Sequence, residues 1–189
     1  MQDRRKDILQ AGLALLREQG LAGLTQPRVA AKVGLRQSHL TYYYPTRTDL
    51  LAAVARAGME AQLSAIRSLF KGLSSPEQGA ERIAAVTVRH ETTRVLAALN
   101  QAADQELAVR AVFNELLGGF MEEFGSLFEK LELASTEARI DLFHALFVGL
   151  SVIDLATARR NGKARAKAVL GLAFYMLSNE ADGGTRRTS

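Results

Sequence analysis

Eight side chains in the first fifty residues have the chemistry of a nucleic-acid reader: Thr25, Arg36, Gln37, Ser38, His39, Tyr42, Tyr43 and Arg47. An arginine fork matches the acceptor edge of guanine, and a glutamine amide matches the donor–acceptor edge of adenine. Ser38 and His39 lie one step along and can meet bases or phosphates. Tyrosine hydroxyls suit phosphate oxygens. Thr25 and Arg47 stand where helices are expected to begin, and helix N-termini attract anions. A second candidate, His90-Glu91-Thr92-Thr93-Arg94, narrowly misses a zinc-binding HExxH helix, with Arg94 where the second histidine ligand belongs. There is no glycine-rich phosphate loop and no G-x-S-x-G. Pairs such as Glu122-Glu123 read as solvated helix surface. The 189 residues include no cysteine, which excludes disulfides, thiolate metal sites and thiol catalysis. No catalytic residue, metal or cofactor is expected.

Those eight side chains need short helices to present them. Apolar residues Ile8, Leu15 and Leu16 predict a first helix over about 4–18, ended by Gly20. Thr25 is expected to cap a second helix over about 26–33, its hydroxyl accepting from the Arg28 amide, with Pro27 harmless in the first turn. Gly34 supplies a positive φ for the turn. A third helix over about 37–44 turns Leu40 and Tyr44 inward and the polar set outward. Pro45 stops it. Thr46-Arg47-Thr48-Asp49 reads as a capping box opening a long fourth helix to about Gly72.

Further helices are predicted from Ser75-Pro76 onward, broken near His90, then over about 93–102. Asp104 is expected to cap one running to Leu131, and Ser135 one running to about Arg160. Arg159 and Arg160 then suit its C-terminal dipole and Gly162 ends it. The last runs over about 163–178. Strand-like alternation is nearly absent, so the fold class is all-α: an N-terminal helix-turn-helix domain (1–46), a larger helical regulatory and dimerisation domain (47–178), and a disordered tail (179–189).

Charge falls unevenly along this plan. The net charge of +4 lies wholly in residues 1–50, with eight basic against four acidic side chains; the remainder carries sixteen of each. A basic quarter on a neutral body implies an anionic partner for that quarter. The N-terminus is charged and helically patterned, unlike a secretion signal. The longest apolar stretch, Leu142 to Ala158, contains His144 and Asp154 and is too short for a membrane span. A cytoplasmic protein with no membrane partner is expected.

The last two helices are apolar on nearly every face. Such helices must be buried all round. A domain this small cannot do that alone, which implies a two-fold homodimer with these helices paired in a four-helix bundle.

The run from Arg4 to Val54 resembles the DNA-binding domain of TetR-family transcriptional repressors. The resemblance rests on Ile8, the Gly20-to-Thr25 spacing, Ala30, Gly34-Leu35, Leu40, Tyr42, Tyr44 and Thr46-Arg47-Thr48-Asp49-Leu50-Leu51. Beyond it, helix number and length match, with the segment Asp104-Gln105-Glu106-Leu107. The resemblance implies a nine-helix homodimer that binds operator DNA through its first three helices, encloses a small-molecule pocket in the middle and dimerises through the last two. It places the eight residues named above at DNA-facing positions. Two departures stand out. Arg36 occupies a place where a Ser or Thr cap is common, and Pro45 replaces a common basic residue.

A ligand-responsive repressor on a palindromic operator follows, released by a small apolar or amphipathic effector. Pocket candidates are Met59, Leu63, Ile66, His90, Asn100, Phe113, Phe120, Phe124, His144 and Phe147, with Phe143 and Asp154 beside them. The fourth helix, joining reader to core, is the expected lever. The competing reading is a helical homodimer with a structural or small-molecule-binding role and no sequence-specific DNA binding.

Overall fold

The computed structural model describes residues 4–179; of the tail over 179–189 expected to be disordered, Asn179 is the last residue of a helix and the rest lies outside the described residues. Among the described residues the chain forms nine α-helices and no strand. They are α1 (Arg4–Gln19), α2 (Gln26–Lys32), α3 (Gln37–Tyr43), α4 (Arg47–Phe70), α5 (Pro76–Thr87), α6 (His90–Gln105), α7 (Leu107–Lys130), α8 (Glu137–Thr157) and α9 (Gly162–Asn179), with a single 3-10 turn at Leu21–Gly23. Two compact units result. The first takes the described residues up to Gln62 together with Glu91–Leu117; the second takes Leu63–His90 together with those from Gly118 onward.

The first unit is built on α1. Ile8, Leu13, Leu15 and Leu16 are buried on it, as are Val29 of α2, Leu40 of α3, and Leu50, Leu51 and Val54 of α4. Gly12 lets α1 and α4 close together: a Cβ there would sit 2.5 Å from a Val54 methyl. Val95, Ala98, Leu99 and Ala102 of α6, with Val109 and Val112 of α7, complete this core.

The second unit centres on four fully buried phenylalanines, Phe124, Phe128, Phe143 and Phe174. Each such side chain contributes roughly 1.5–3 kcal/mol on burial. Phe143 meets Phe174 at 4.8 Å and Phe128 at 5.4 Å between ring centres, tilted or edge-on as aromatic quadrupoles prefer. Small residues Gly79 and Ala80 on α5 let α9 approach, with the Phe174 ring 3.2 Å from where a Gly79 Cβ would stand.

Several sequence-based expectations need correction. Thr25 is the N-cap residue of α2 but makes no side-chain capping bond. The helix expected over 93–102 starts at His90 and runs to Gln105. Asp104 therefore lies inside the last turn of α6 and caps nothing; that turn is closed by Arg110, whose guanidinium donates to the Ala103 and Asp104 carbonyls at 3.0 and 2.9 Å. The N-cap of α8 is Thr136, not Ser135, and it makes no side-chain capping bond. Gly162 does not end α8. The left-handed residue there is Ala158, with φ 44°, so Arg159 and Arg160 fall outside the helix. Gly162 opens α9 instead, where any side chain would overlap the Asp154 carboxylate. Its place is dictated by packing room, which a linear sequence does not display.

The helix α8 also exceeds the apolar stretch read from the sequence. Its 21 residues include an 18-residue window with a mean hydropathy of 1.6, long and apolar enough to cross a membrane by length and composition. Only one stripe of it is buried within the chain: Phe143, Phe147, Ser151 and Asp154.

Replacing Gly12 with valine should lower unfolding stability by about 1–3 kcal/mol, the usual cost of overpacking a closed helix contact. Urea unfolding followed by far-UV circular dichroism measures it; an unchanged midpoint would mean that α1 and α4 can separate at no cost.

Candidate functional site

The candidate site is the exposed side of α3 and its flanks. The turn before α3 is set by the backbone. Gly34 takes φ 67°, and the Leu35 amide donates back to the Ala30 carbonyl at 2.9 Å. Only glycine enters that region freely. Pro45 ends α3 because the residue before a proline is driven to extended backbone, and Tyr44 has φ −137° and ψ 90°. Leu40 is wholly buried and Tyr44 nearly so, which fixes the rotation of the helix.

That rotation leaves Arg36, Gln37, Ser38 and His39 exposed at the N-terminal half of α3. Tyr42 is 84% exposed. Tyr43 is half-buried, its ring edge-on to Tyr42 at 5.4 Å. Among the described residues the side chains of Arg36, Gln37, Ser38 and His39 have no hydrogen-bond or ion-pair partner, so their donors are unspent. Other polar side chains nearby are already engaged. Arg28 and Lys32 on α2 reach back to Gln19 at 2.7 Å and Glu18 at 3.0 Å on α1. They brace α2 against α1. Thr25 is half-buried at the start of α2.

The first turn of α4 carries the reciprocal capping box expected from its sequence. The Asp49 amide donates to the Thr46 hydroxyl oxygen at 3.0 Å, and the Thr46 amide donates to the Asp49 carboxylate at 2.9 Å. Arg47 is exposed yet paired, its guanidinium 3.3 Å from Glu106.

Two positioning residues escaped the sequence reading. Gln26 donates its amide to the Tyr44 carbonyl at 2.8 Å, tying the start of α2 to the end of α3. Its acceptor is backbone, so no pairing of residue types could have flagged it. Glu106, which holds both Arg47 and the Thr48 hydroxyl, lies 58 or more residues from them in the chain.

The pocket candidates are divided between the two units. Met59, Asn100 and Phe113 belong to the first unit, where Met59 is buried, Phe113 half-buried and Asn100 exposed. Leu63, Ile66, His90, Phe120, Phe124, His144 and Phe147 belong to the second. There, His144 stacks on Phe120 at 6.5 Å and tilts against Phe124 at 5.5 Å. Phe124 meets Phe147 at 6.1 Å. Burial pushes the His144 imidazole below the ordinary histidine value, with Asp141 offsetting part of the effect. His90 sits 2.8 Å from Asp154, so the half-motif at His90-Glu91 is engaged in an intramolecular pair. Among the described residues no three metal-ligating side chains converge.

On the outer side of α8 and α9, an apolar groove of about 290 Å³ is lined by Leu142, Leu146, Val169, Leu172, Ala173 and Met176, among others. Leu142, Val152, Ile153, Leu172, Tyr175 and Met176 are between 46% and 66% exposed.

The depressed His144 titration has a signed consequence. The unfolded chain binds its proton at higher pH than the folded chain does. This group's contribution to stability is therefore complete above the ordinary histidine range and is lost as pH falls through it. In ¹H–¹³C spectra its ring signal should titrate below the ordinary histidine midpoint, and the His144→Phe variant should lose that part of the acid destabilisation. A midpoint at or above the ordinary value would contradict the burial.

Residues 8–54 match the family described as "Bacterial regulatory proteins, tetR family". No curated protein matches the chain. Among solved structures, a transcriptional regulator from Rhodococcus sp. Rha1 superposes with a TM-score of 0.78 at 17% identity, over 94% of this chain and 97% of that one. A TetR-family member from Streptomyces coelicolor A3 superposes at 0.70 with 23% identity, over 91% and 98%. The multidrug binding protein EbrR, complexed with proflavin, superposes at 0.66 with 22% identity, over 90% and 99%. At these identities the structures establish the shared fold, while the match over residues 8–54 establishes the helix-turn-helix domain. Over residues 8–54, then, the chain carries a domain similar to that of the tetR family of bacterial regulatory proteins, within a fold shared with the solved structures above.

Proposed function

We propose that this DNA-binding transcriptional regulator is a repressor that grips a palindromic operator as a homodimer. The observation that carries the DNA contact is the exposed N-terminal half of α3, unpartnered among the described residues, since a recognition helix meets base edges with its N-terminal residues. In this reading Arg36 and Gln37 read bases. Ser38 and His39 meet bases or phosphates, Tyr42 and Tyr43 reach phosphates, and Thr25 and Arg47 flank them at helix N-termini. Residues 1–46 are the reading domain and 47–178 the regulatory and dimerisation domain. Operator DNA lies in the cytoplasm, and so does the protein.

The dimer reading rests on α8 and α9. Each buries one stripe and leaves apolar side chains and a groove exposed, a patch that a second copy covers as a four-helix bundle. The same exposed face accounts for the hydropathy of α8 without a membrane. Two reader helices then sit about one helical turn, ~34 Å, or a multiple of it apart.

Release by a small apolar or amphipathic effector is read from the aromatic cluster of Phe120, Phe124, His144 and Phe147, with one half-buried imidazole as its polar element. EbrR, which shares the fold, is complexed with proflavin. An effector that prefers another reader spacing weakens DNA binding by its differential affinity for the two states, with α4 as the lever. A thermal-shift screen of small molecules identifies it, and alanine at Phe120 or His144 should abolish the shift.

Fluorescence anisotropy with a duplex from the protein's own upstream region tests the DNA contact. Affinity should exceed that for random DNA and fall steeply with salt. Arg36→Ala should cost about 1–3 kcal/mol and relax preference at one base position. Equal affinity for random DNA would sink the repressor reading and favour a helical dimer without sequence-specific binding.

Sedimentation tests the interface separately. The wild type should run as a dimer at micromolar concentration and Leu172→Glu as a folded monomer. A monomeric wild type removes the palindrome argument.

A further inference from the structure

Arg47 differs from Arg36 in one respect: its charge is already spoken for. Its Nη1 lies 3.3 Å from Glu106 Oε1, and the other carboxylate oxygen, Oε2, accepts the Thr48 hydroxyl at 3.2 Å. One carboxylate thus bridges the first two residues of α4. Glu106 is partly shielded, its side chain 28% exposed against 49% for Arg47, so the pair is less screened than a fully solvated one. Its backbone is fixed as well, because the Glu106 carbonyl accepts the Val109 and Arg110 amides at 3.0 and 3.1 Å. A carboxylate presented from a fixed point holds its partner better than one on a free loop.

The rest of this helix start is occupied in the same sense. The Thr46 amide and hydroxyl both donate to Asp49, at 2.9 and 2.8 Å. Two carboxylates, Asp49 and Glu106, therefore stand where the first turn of α4 would otherwise favour a phosphate. Asp49 belongs to the capping box and holds the helix together. Glu106 comes from the linker between α6 and α7 and has no such local duty.

We propose that Glu106 competes with a DNA phosphate for Arg47, holding back one cationic contact at the start of α4. The inference rests on the DNA-binding reading above. It makes Glu106 a positioning residue: it contacts no DNA and acts through Arg47. The carboxylate and a phosphate oxygen are alternative acceptors for the same guanidinium, so the DNA contact forms only as the internal pair opens. Whatever moves the α6–α7 linker then alters how many phosphates the reader can grip.

The test is a double-mutant cycle on DNA affinity, using the full-length protein with the upstream duplex and a random duplex. Glu106→Gln keeps the side-chain size and can still accept from Thr48. It should tighten binding to both duplexes by the same factor, roughly five- to tenfold, since a phosphate contact carries no sequence information. In the Arg47→Gln background the same substitution should gain less than twofold. An equal gain with or without Arg47 would mean that Glu106 acts only through long-range charge, and would overturn the proposal. So would a loss of affinity in Glu106→Gln, which marks the pair as a brace. Glu106→Ala provides a second variant, and thermal unfolding of each confirms that it is folded. Wild-type protein that does not prefer the upstream duplex overturns the DNA reading itself, a result distinct from a wild type that prefers it while the cycle shows no coupling.

Discussion

A seven-residue helix does not hold itself together in water, because nucleation costs more than so few hydrogen bonds return. The helix α3 exists because Leu40 and Tyr44 are buried at its inner face and Pro45 stops it one residue after Tyr44. Everything functional about the first unit depends on that anchor. It sets which side of α3 faces outward, and hence that Arg36, Gln37, Ser38 and His39 are presented together. The Gln26 amide on the Tyr44 carbonyl and the ion pair of Lys32 with Glu18 add to the same result. Among the described residues, the side chains proposed to read bases are left free because neighbouring polar groups do the holding.

The second unit shows a different constraint. Its phenylalanine core is closed by α5 and α9 through small residues, and this consumes only one stripe of α8 and one of α9. The remaining apolar face is not an error of composition. It is the reason the proposed function is that of a pair. The aromatic cluster around His144 lies in this same unit, so effector chemistry and dimer chemistry are proposed for neighbouring faces of one core.

Much of this was legible in the sequence, and the parts that were not share a cause. The helix-turn-helix was readable because its signals are local: a glycine at a positive φ, a proline stop, a capping box, and apolar residues four apart. The all-α class followed in the same way, from the near absence of strand-like alternation, whereas the final helices read as apolar on nearly every face and each buries only one stripe within the chain. The misread boundaries lie elsewhere. Asp104 looked like an N-cap and is the last turn of α6, closed by Arg110 from the next helix. Gly162 looked like a helix stop and is a packing glycine against Asp154. In both, the deciding partner is a side chain reached only through the fold. A residue type suited to two roles is assigned by whichever partner the folded chain brings up.

The candidate site divides along the same line. The sequence by itself determined the fold class, the helix-turn-helix and the residue types on the outer face of α3, because these depend on spacing within a turn or two of helix. Only the tertiary structure decided which of those residues are free. Arg36 and Arg47 are indistinguishable as letters, both basic and both beside a helix start. Among the described residues, Arg36 has no partner, whereas Arg47 lies against Glu106, which is far away in sequence. Charge pairing acts through space and falls off within a few ångströms, so the availability of an arginine is a property of the fold and not of the chain.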